Sequence, residues 1–305
     1  MVNLEQVNYP LILDGGLSNV LEELGCDLNH KLWSAKMIIN NPKAIIKTHL
    51  RYLEAGADFI TTCSYQATIQ GFMNLGLNLM EAEKLLLYAV TLAEEARSKF
   101  LNQSKSSRPI YIAASIGPYG AYLADGSEYN GQYAIDEGDL KKFHTNRIKI
   151  LEKSNADFLA FETIPSFLEV KTLSKILMKS AKPCWISFSC RDAVHLNDGE
   201  KISKAAGLLK HHPNVFAIGV NCTPPQYISK IIQTLKKSAP DKKIIIYPNS
   251  GEVYNPESKS WYGLSDPAVF QKMAIEWLAL GADILGGCCR IGPEHIRKIK
   301  AITIS

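Results

Sequence analysis

The sequence predicts a single α/β domain over residues 1–305, built as a closed (β/α)8 TIM-type barrel. Three observations carry this. Short apolar runs alternate with helix-like segments eight times along the chain. One small device, Gly56-Ala57-Asp58, Asn155-Ala156-Asp157 and Gly281-Ala282-Asp283, recurs where a helix stops and a strand starts. No G-x-G-x-x-G follows the first apolar run, which argues against an open dinucleotide-binding sheet.

The elements follow in order. Pro10–Leu13 is a short apolar strand running into Asp14-Gly15-Gly16. Asn41 caps a helix with Pro42 at its first position, and Gly56 ends it. Asp58–Thr62 is the second strand. The helix after it carries Leu85, Ala89, Leu92 and Ala96 on one face. Ser104–Ser107 is a polar loop before strand Ile110–Ser115, and a long loop, 116–137, comes next. Helices near 140–153, 166–179, 201–210 and 225–238 then alternate with strands at 157–161, 184–188, 215–220 and 243–247. Asp266-Pro267 opens another helix, 283–285 is the last strand, and Pro293 begins the final helix. These strands are apolar on both faces, as expected where helices cover one face and a packed interior fills the other. In the repeated device, Gly or Asn is expected to supply a left-handed helix cap.

A chain of 305 residues accommodates one barrel of about 250 residues with elaborated loops. Hydrophobic content of 46% and charged content of 21% are those of an ordinary globular protein. The net charge of +4 is scattered, with no basic stripe, which argues against nucleic-acid and membrane-surface roles. No apolar run approaches the ~20 residues that cross a bilayer, and the N-terminus has no signal-peptide pattern. Seven cysteines without disulfide spacing favour a reducing, cytoplasmic location.

A barrel of this kind builds its active site from loops at the C-terminal strand ends. The residues there are Asp14-Gly15-Gly16, Thr62, Cys63, Ser64 and Tyr65, Ser115 and Gly117-Pro118-Tyr119-Gly120, then Glu162 and Thr163. Ser189 and Cys190, Asn221 and Cys222, Asn249 and Ser250, and Gly287-Cys288-Cys289-Arg290 complete the series. Polar and metal-capable groups thus concentrate at one face. Adjacent cysteines seldom both serve a core, because successive strand side chains face opposite ways. With Cys222 at a matching strand end, three thiolates converge and favour Zn²⁺, leaving a fourth position open. The vicinal disulfide that would compete with this is strained. Single buried cysteines are more often small hydrophobes, the reading for Cys26, Cys63, Cys184 and Cys190.

Asp14 could simply cap a turn, and Glu162 could pair with a Lys or Arg. Around a metal, however, the two carboxylates could together hold an ammonium group. Tyr119, Tyr122, Tyr129, Tyr133 and Trp261 read as lid packing, with a cation–π wall for an onium group as the functional alternative. The seven histidines show no metal spacing and read as surface or helix residues.

Together, Leu13-Asp14-Gly15-Gly16, Phe161-Glu162-Thr163, Gly219-Val220-Asn221-Cys222 and Gly286-Gly287-Cys288-Cys289 resemble the zinc-dependent homocysteine S-methyltransferases. The likeness runs in order from about Pro10 to Arg290. Ser115-Ile116-Gly117-Pro118-Tyr119-Gly120, Asp125-Gly126-Ser127-Glu128-Tyr129 and Pro248-Asn249-Ser250-Gly251-Glu252 resemble the branch using S-methylmethionine or S-adenosylmethionine. The resemblance implies Cys222, Cys288 and Cys289 as zinc ligands and Asp14 and Glu162 as partners of the homocysteine amino group. Thr62, Ser64, Asn221, Asn249 and Ser250 are expected to help bind substrate. Where betaine-using relatives place a Tyr after the glutamate, this chain has Thr163. It also has no room for cobalamin- or folate-binding modules.

The chemistry expected is methyl transfer from a sulfonium donor to a zinc-activated homocysteine thiolate, giving methionine. The alternatives are betaine as donor and a non-catalytic thiolate–zinc redox or metal sensor. A zinc hydrolase fits less well, since three thiolates make the metal a poor Lewis acid for water.

Overall fold

The computed structural model describes residues 7–303 except 252, 256–259 and 263–265, and side chains between 252 and 265 are not described. Eight parallel strands form one sheet: β1 (Leu11–Ile12), β2 (Phe59–Thr61), β3 (Tyr111–Ile116), β4 (Phe158–Ile164), β5 (Cys184–Phe188), β6 (Val215–Asn221), β7 (Lys243–Tyr247) and β8 (Ile284–Leu285). Each strand from β2 to β7 pairs with the next. β8 lies between β7 and β1, with Ile284 opposite both Ile245 and Leu11. A parallel bridge from Leu13 to Phe59 closes the ring between β1 and β2. The closed eight-stranded barrel expected from the sequence is therefore present.

Two cores follow from the alternation of strand side chains. Phe59, Phe158, Trp185, Ala217, Ile245 and Ile284 point inward and fill the barrel, with Phe59 and Trp185 meeting edge to face at 5.7 Å. The opposite faces join helix residues such as Ile45, Leu86, Leu173, Ile231 and Trp277 in a continuous outer layer. Cys63, Cys184 and Cys190 are buried and Cys26 packs half-buried against that layer. Burial pushes the Cys63 thiol up to about 12, so it behaves as a small apolar group.

The outer helices are α3 (Pro42–Ala55), α5 (Leu79–Ser104), α7 (Glu137–Glu152), α8 (Phe167–Leu177), α9 (Ile202–Leu209), α10 (Ile228–Ser238), α11 (Pro267–Ala279) and α12 (Pro293–Ala301). Asn41 caps α3 through Ala44 N–H, and Asn78 with Glu81 makes a capping box on α5. Short helices α1 (Leu17–Glu23), α2 (Met37–Asn40), α4 (Ile69–Met73) and α6 (Tyr119–Leu123) interrupt the loops. The segment read as a loop over 116–137 thus contains α6 and a 3-10 turn at Ser127–Tyr129. Val253–Asn255 and Ser260–Tyr262 form a separate antiparallel ribbon after β7. Glu252 and the Trp261 side chain lie outside what is described.

The repeated device has a different basis from the one expected. Gly56 and Gly281 do take left-handed conformations, φ 108° and 95°, but Asn155 is not among the residues with positive φ. What the three copies share is the aspartate. Asp58 accepts Ile12 N–H at 2.9 Å, Asp157 accepts Ile112 N–H at 2.8 Å and Asp283 accepts Ile244 N–H at 2.8 Å. Each carboxylate also pairs with a cation: Arg108 and Lys300, Arg97, or Lys243. The device therefore pins neighbouring strands at the N-terminal end of the barrel, opposite the site.

Candidate active site

At the C-terminal end, Cys222 closes β6 and Cys288-Cys289 follow β8. Their three sulfur atoms lie within 4.8 Å of one another, with Cys222 and Cys289 3.8 Å apart. Two sulfurs each ~2.3 Å from a tetrahedral zinc stand about 3.8 Å apart, so the cluster has the dimensions of a three-thiolate site with one open corner. Contact with the Cys222 sulfur first, and with that of Cys288 second, pulls the Cys289 pKa well below the ordinary thiol value. Contacts with Cys288 first and Cys289 second push Cys222 up.

The loops holding these sulfurs are built by close approach. A Cβ on Gly16 would come within 2.6 Å of the Cys288 carbonyl, and one on Gly15 within 2.3 Å of the Ile291 carbonyl. The Asp14-Gly15-Gly16 turn can lie against the cysteine loop only without side chains. Tyr52 staples the two, its hydroxyl reaching Gly16 O at 2.8 Å and Ile291 O at 3.2 Å. Cys222 itself is held at φ 46° and Thr163, near the end of β4, at φ 60°. A β-branched residue seldom adopts that backbone, which costs on the order of 1–3 kcal/mol. Asn221 maintains it: its Oδ1 accepts Thr163 N–H at 2.6 Å, and its Nδ2 donates to Thr163 Oγ1 at 2.7 Å and lies 3.8 Å from Cys288 Sγ.

Asp14 and Glu162 face the same cleft. Asp14 is 2% exposed and receives the Thr61 N–H at 2.7 Å and the Thr61 hydroxyl at 3.1 Å. Burial pushes its carboxyl well up, and the charge of Glu162 adds to this. Glu162 accepts hydrogen bonds from the Ser115 and Tyr247 hydroxyls, yet burial still raises it to about 7. Among the described residues neither carboxylate has a lysine, arginine or histidine partner, so the ion pair considered for Glu162 does not occur.

The other expected substrate contacts occupy a supporting layer. Thr62 lines the cleft, but its hydroxyl accepts Ser115 N–H at 3.0 Å and meets the Ser64 hydroxyl at 2.6 Å. Ser64 donates in turn to Ser115 O at 2.7 Å and is fully buried. The pair thus braces the Ser115 hydroxyl that holds Glu162. Ser250 N–H donates to Cys289 O at 3.1 Å, and Asn249 Oδ1 accepts Gly251 N–H at 3.1 Å; neither side chain lines the cleft.

The aromatics divide into two groups. Tyr119 and Tyr122 pack against Phe143, and Tyr133 against Tyr119, away from the cleft. Beneath them Glu169 is completely buried and accepts from Tyr119 N–H at 2.8 Å, Tyr133 OH and His144 Nε2. Burial lowers the His144 pKa and keeps it neutral, so its Nδ1 accepts from Arg147 at 3.3 Å. Tyr129 instead lines the cleft. It is 58% exposed at the mouth, while the charge of the thiols, Cys222 first, raises its phenol. Trp33 and Tyr65 complete that wall, their rings 6.3 Å apart and nearly perpendicular. Tyr65 and Tyr247 stand at or just past strand ends and obey the rule that located the rest. Trp33 opens a 3-10 turn, Trp33–Lys36, just before α2, where no strand-end rule applies.

A family model described as homocysteine S-methyltransferase matches residues 11–303. The homocysteine S-methyltransferase YbgG of Bacillus subtilis is 47% identical over 298 residues, covering 96% of this chain and 94% of the relative. Homocysteine S-methyltransferase 3 of Zea mays is 46% identical over 95% of this chain and 88% of its own length. A selenocysteine Se-methyltransferase of Brassica oleracea var. italica is 43% identical over 99% and 91%. The crystal structure of the homocysteine methyltransferase MmuM from Escherichia coli in its metallated form superposes with a TM-score of 0.88 at 36% identity, covering 98% of each chain. Sequence, barrel and cysteine cluster agree, and the chain belongs to the homocysteine S-methyltransferase family of methyltransferases.

Proposed function

We propose that this enzyme transfers a methyl group from a sulfonium compound, S-methylmethionine or S-adenosylmethionine, to the sulfur of homocysteine, yielding methionine. The observation that carries the reading is the pairing, in one cleft, of three clustered thiols with two buried carboxylates that have no cationic partner among the described residues. Such carboxylates cost stability unless a ligand brings positive charge. A thiol-bearing amino acid brings an ammonium for Asp14 and Glu162 and a sulfur for the open corner.

Cys222, Cys288 and Cys289 would hold zinc, which supplies the positive charge that ionises an acceptor thiol near neutral pH while the three thiolates keep that sulfur electron-rich. The chain's own residues do the rest. Asp14, oriented by Thr61, and Glu162, oriented by Ser115 and Tyr247, fix the acceptor's ammonium. Thr62 and Ser64 hold Ser115, Asn221 orients Cys288, and Asn249 and Ser250 support the cysteine loop. Trp33, Tyr65 and Tyr129 offer ring faces to an onium group and limit water at the reacting sulfur. The donor's methyl–sulfur bond breaks as the acceptor's lone pair forms the new one, so opposite charges vanish together and no separate general base is needed. The protein then works on small molecules; among the described residues no helix is long and apolar enough to cross a membrane.

The test is methionine formation from homocysteine by zinc-loaded protein, with S-methylmethionine, S-adenosylmethionine and betaine offered in parallel and Cys289→Ser as control. Turnover with a sulfonium donor, lost in the variant together with its zinc, is the expected result. Turnover with betaine alone would move the donor assignment to that compound. One bound zinc with no turnover on any donor would favour a thiolate–zinc sensor. The 43% identity to a selenocysteine Se-methyltransferase makes a selenol a second acceptor to include.

A further inference from the structure

The acceptor side of the cleft has its two carboxylates; a third, outside the cleft lining, stands next to Tyr129 of the aromatic wall. Glu128 directly precedes Tyr129 and is 9% exposed. Its Oε2 is buried and has no hydrogen-bond partner, and no cation pairs with it among the described residues. Burial raises its carboxyl pKa, and the like charge of Asp125 adds to the rise. Burial first raises the phenol of Tyr65 and the charge of Cys222 first raises that of Tyr129; the charge of Glu128 adds to both, and both rings line the cleft.

The position is fixed by the fold. Gly120 packs so closely beneath it that a Cβ there would come within 2.5 Å of Glu128 N. Asn197 Nδ2 donates to Glu128 O at 3.3 Å and to Ser189 Oγ at 2.8 Å. On either side, Tyr119 N–H and Tyr133 OH anchor the loop to buried Glu169. A carboxylate held this firmly and left uncompensated costs free energy in the empty protein, and a cationic ligand beside it recovers that cost.

We propose that Glu128 is the counter-charge for a cationic methyl donor, standing behind the Tyr65–Tyr129 wall and selecting the sulfonium over the neutral thioether that remains after transfer. The inference deepens the methyl-transfer reading and rests on it. During transfer the donor's C–S bond breaks and its electron pair stays on the donor sulfur, so the positive charge Glu128 faces disappears. Glu128 therefore binds the donor ground state more strongly than the transition state or product, and acts on donor affinity rather than on the rate of the chemical step.

The experiment compares wild type, Glu128→Gln and Glu128→Asp as full-length, zinc-loaded protein. Calorimetry gives the affinity for S-methylmethionine, and competition against it gives the affinity for methionine at the same subsite. In E128Q the preference for the sulfonium over the thioether is expected to fall about tenfold or more, with donor KM raised, kcat not lowered and homocysteine KM unchanged. E128D, which keeps the charge, is expected to retain most of the preference. A purely structural role would weaken both ligands alike or lower kcat, and either result overturns the proposal. So does an E128D preference as low as that of E128Q. Absence of turnover in wild type would defeat the methyl-transfer reading, whereas the binding ratio, which needs no turnover, decides the role of Glu128 separately.

Discussion

Replacing Glu162 with glutamine tests whether the acceptor carboxylates are held ready for a cation. Burial keeps the Glu162 carboxyl at about 7 where an exposed one sits at 4.5. At ~1.36 kcal/mol per pKa unit, its ionised form makes the folded, ligand-free protein about 3 kcal/mol less stable than its neutral form. Because the folded pKa is the raised one, this contribution is fully present below pH 4.5. It falls away as pH rises and is lost once pH passes about 7. The amide in E162Q cannot ionise, so the stability difference between wild type and E162Q, followed by urea unfolding from pH 5 to 8, should shift by roughly 3 kcal/mol in favour of the variant. Glu162 also raises Asp14, so relief at Asp14 acts in the same direction. Homocysteine should reverse the effect in wild type, its ammonium supplying the missing charge, and should stabilise E162Q far less. Parallel pH curves for the two proteins would refute the idea that Glu162 is buried without compensation.

Two further substitutions probe the frame around the sulfurs. Asn221→Ala leaves the Thr163 N–H unpaired beside a left-handed backbone, and the expected cost is about 1–3 kcal/mol in unfolding experiments. Loss of its contact to Cys288 should weaken zinc about 10–100-fold in a chelator competition, and unchanged affinity would show that Asn221 does not orient that sulfur. Gly16→Ala places a methyl group 2.6 Å from the Cys288 carbonyl, so the cysteine loop must move. Circular dichroism should remain that of the wild-type barrel while zinc affinity drops about tenfold or more. Wild-type affinity in G16A would mean the loop accommodates the methyl group without disturbing the sulfurs.

The barrel and the convergence of the cysteines were legible in the sequence because both follow from short-range rules. Apolar runs between helix caps mark strands, and in a parallel barrel every strand end lies at the same face, so Asp14, Glu162, Cys222 and Cys288-Cys289 had to meet. The same rule could not separate groups that face a ligand from groups that face each other. Thr62 and Ser64 stand at a strand end like Asp14 does, but their hydroxyls are spent on Ser115. The aspartate of the repeated Ala-Asp device was visible as a pattern, while its partner N–H groups on neighbouring strands were not, because they are set by register.

Some features belong to the tertiary structure alone. Trp33 reaches the cleft from a 3-10 turn before α2, and only Tyr129 of the four loop tyrosines lines it, since Tyr119, Tyr122 and Tyr133 are drawn toward Phe143 and Glu169. The sequence by itself determined the fold and brought the three cysteines, Asp14 and Glu162 to one end of the barrel, for which periodicity and chain order suffice. Which hydroxyls bond to one another, which rings line the cleft and which carboxylate has no partner among the described residues were decided by packing between segments distant in the chain, because burial and hydrogen-bond partners come from neighbours that local sequence does not specify.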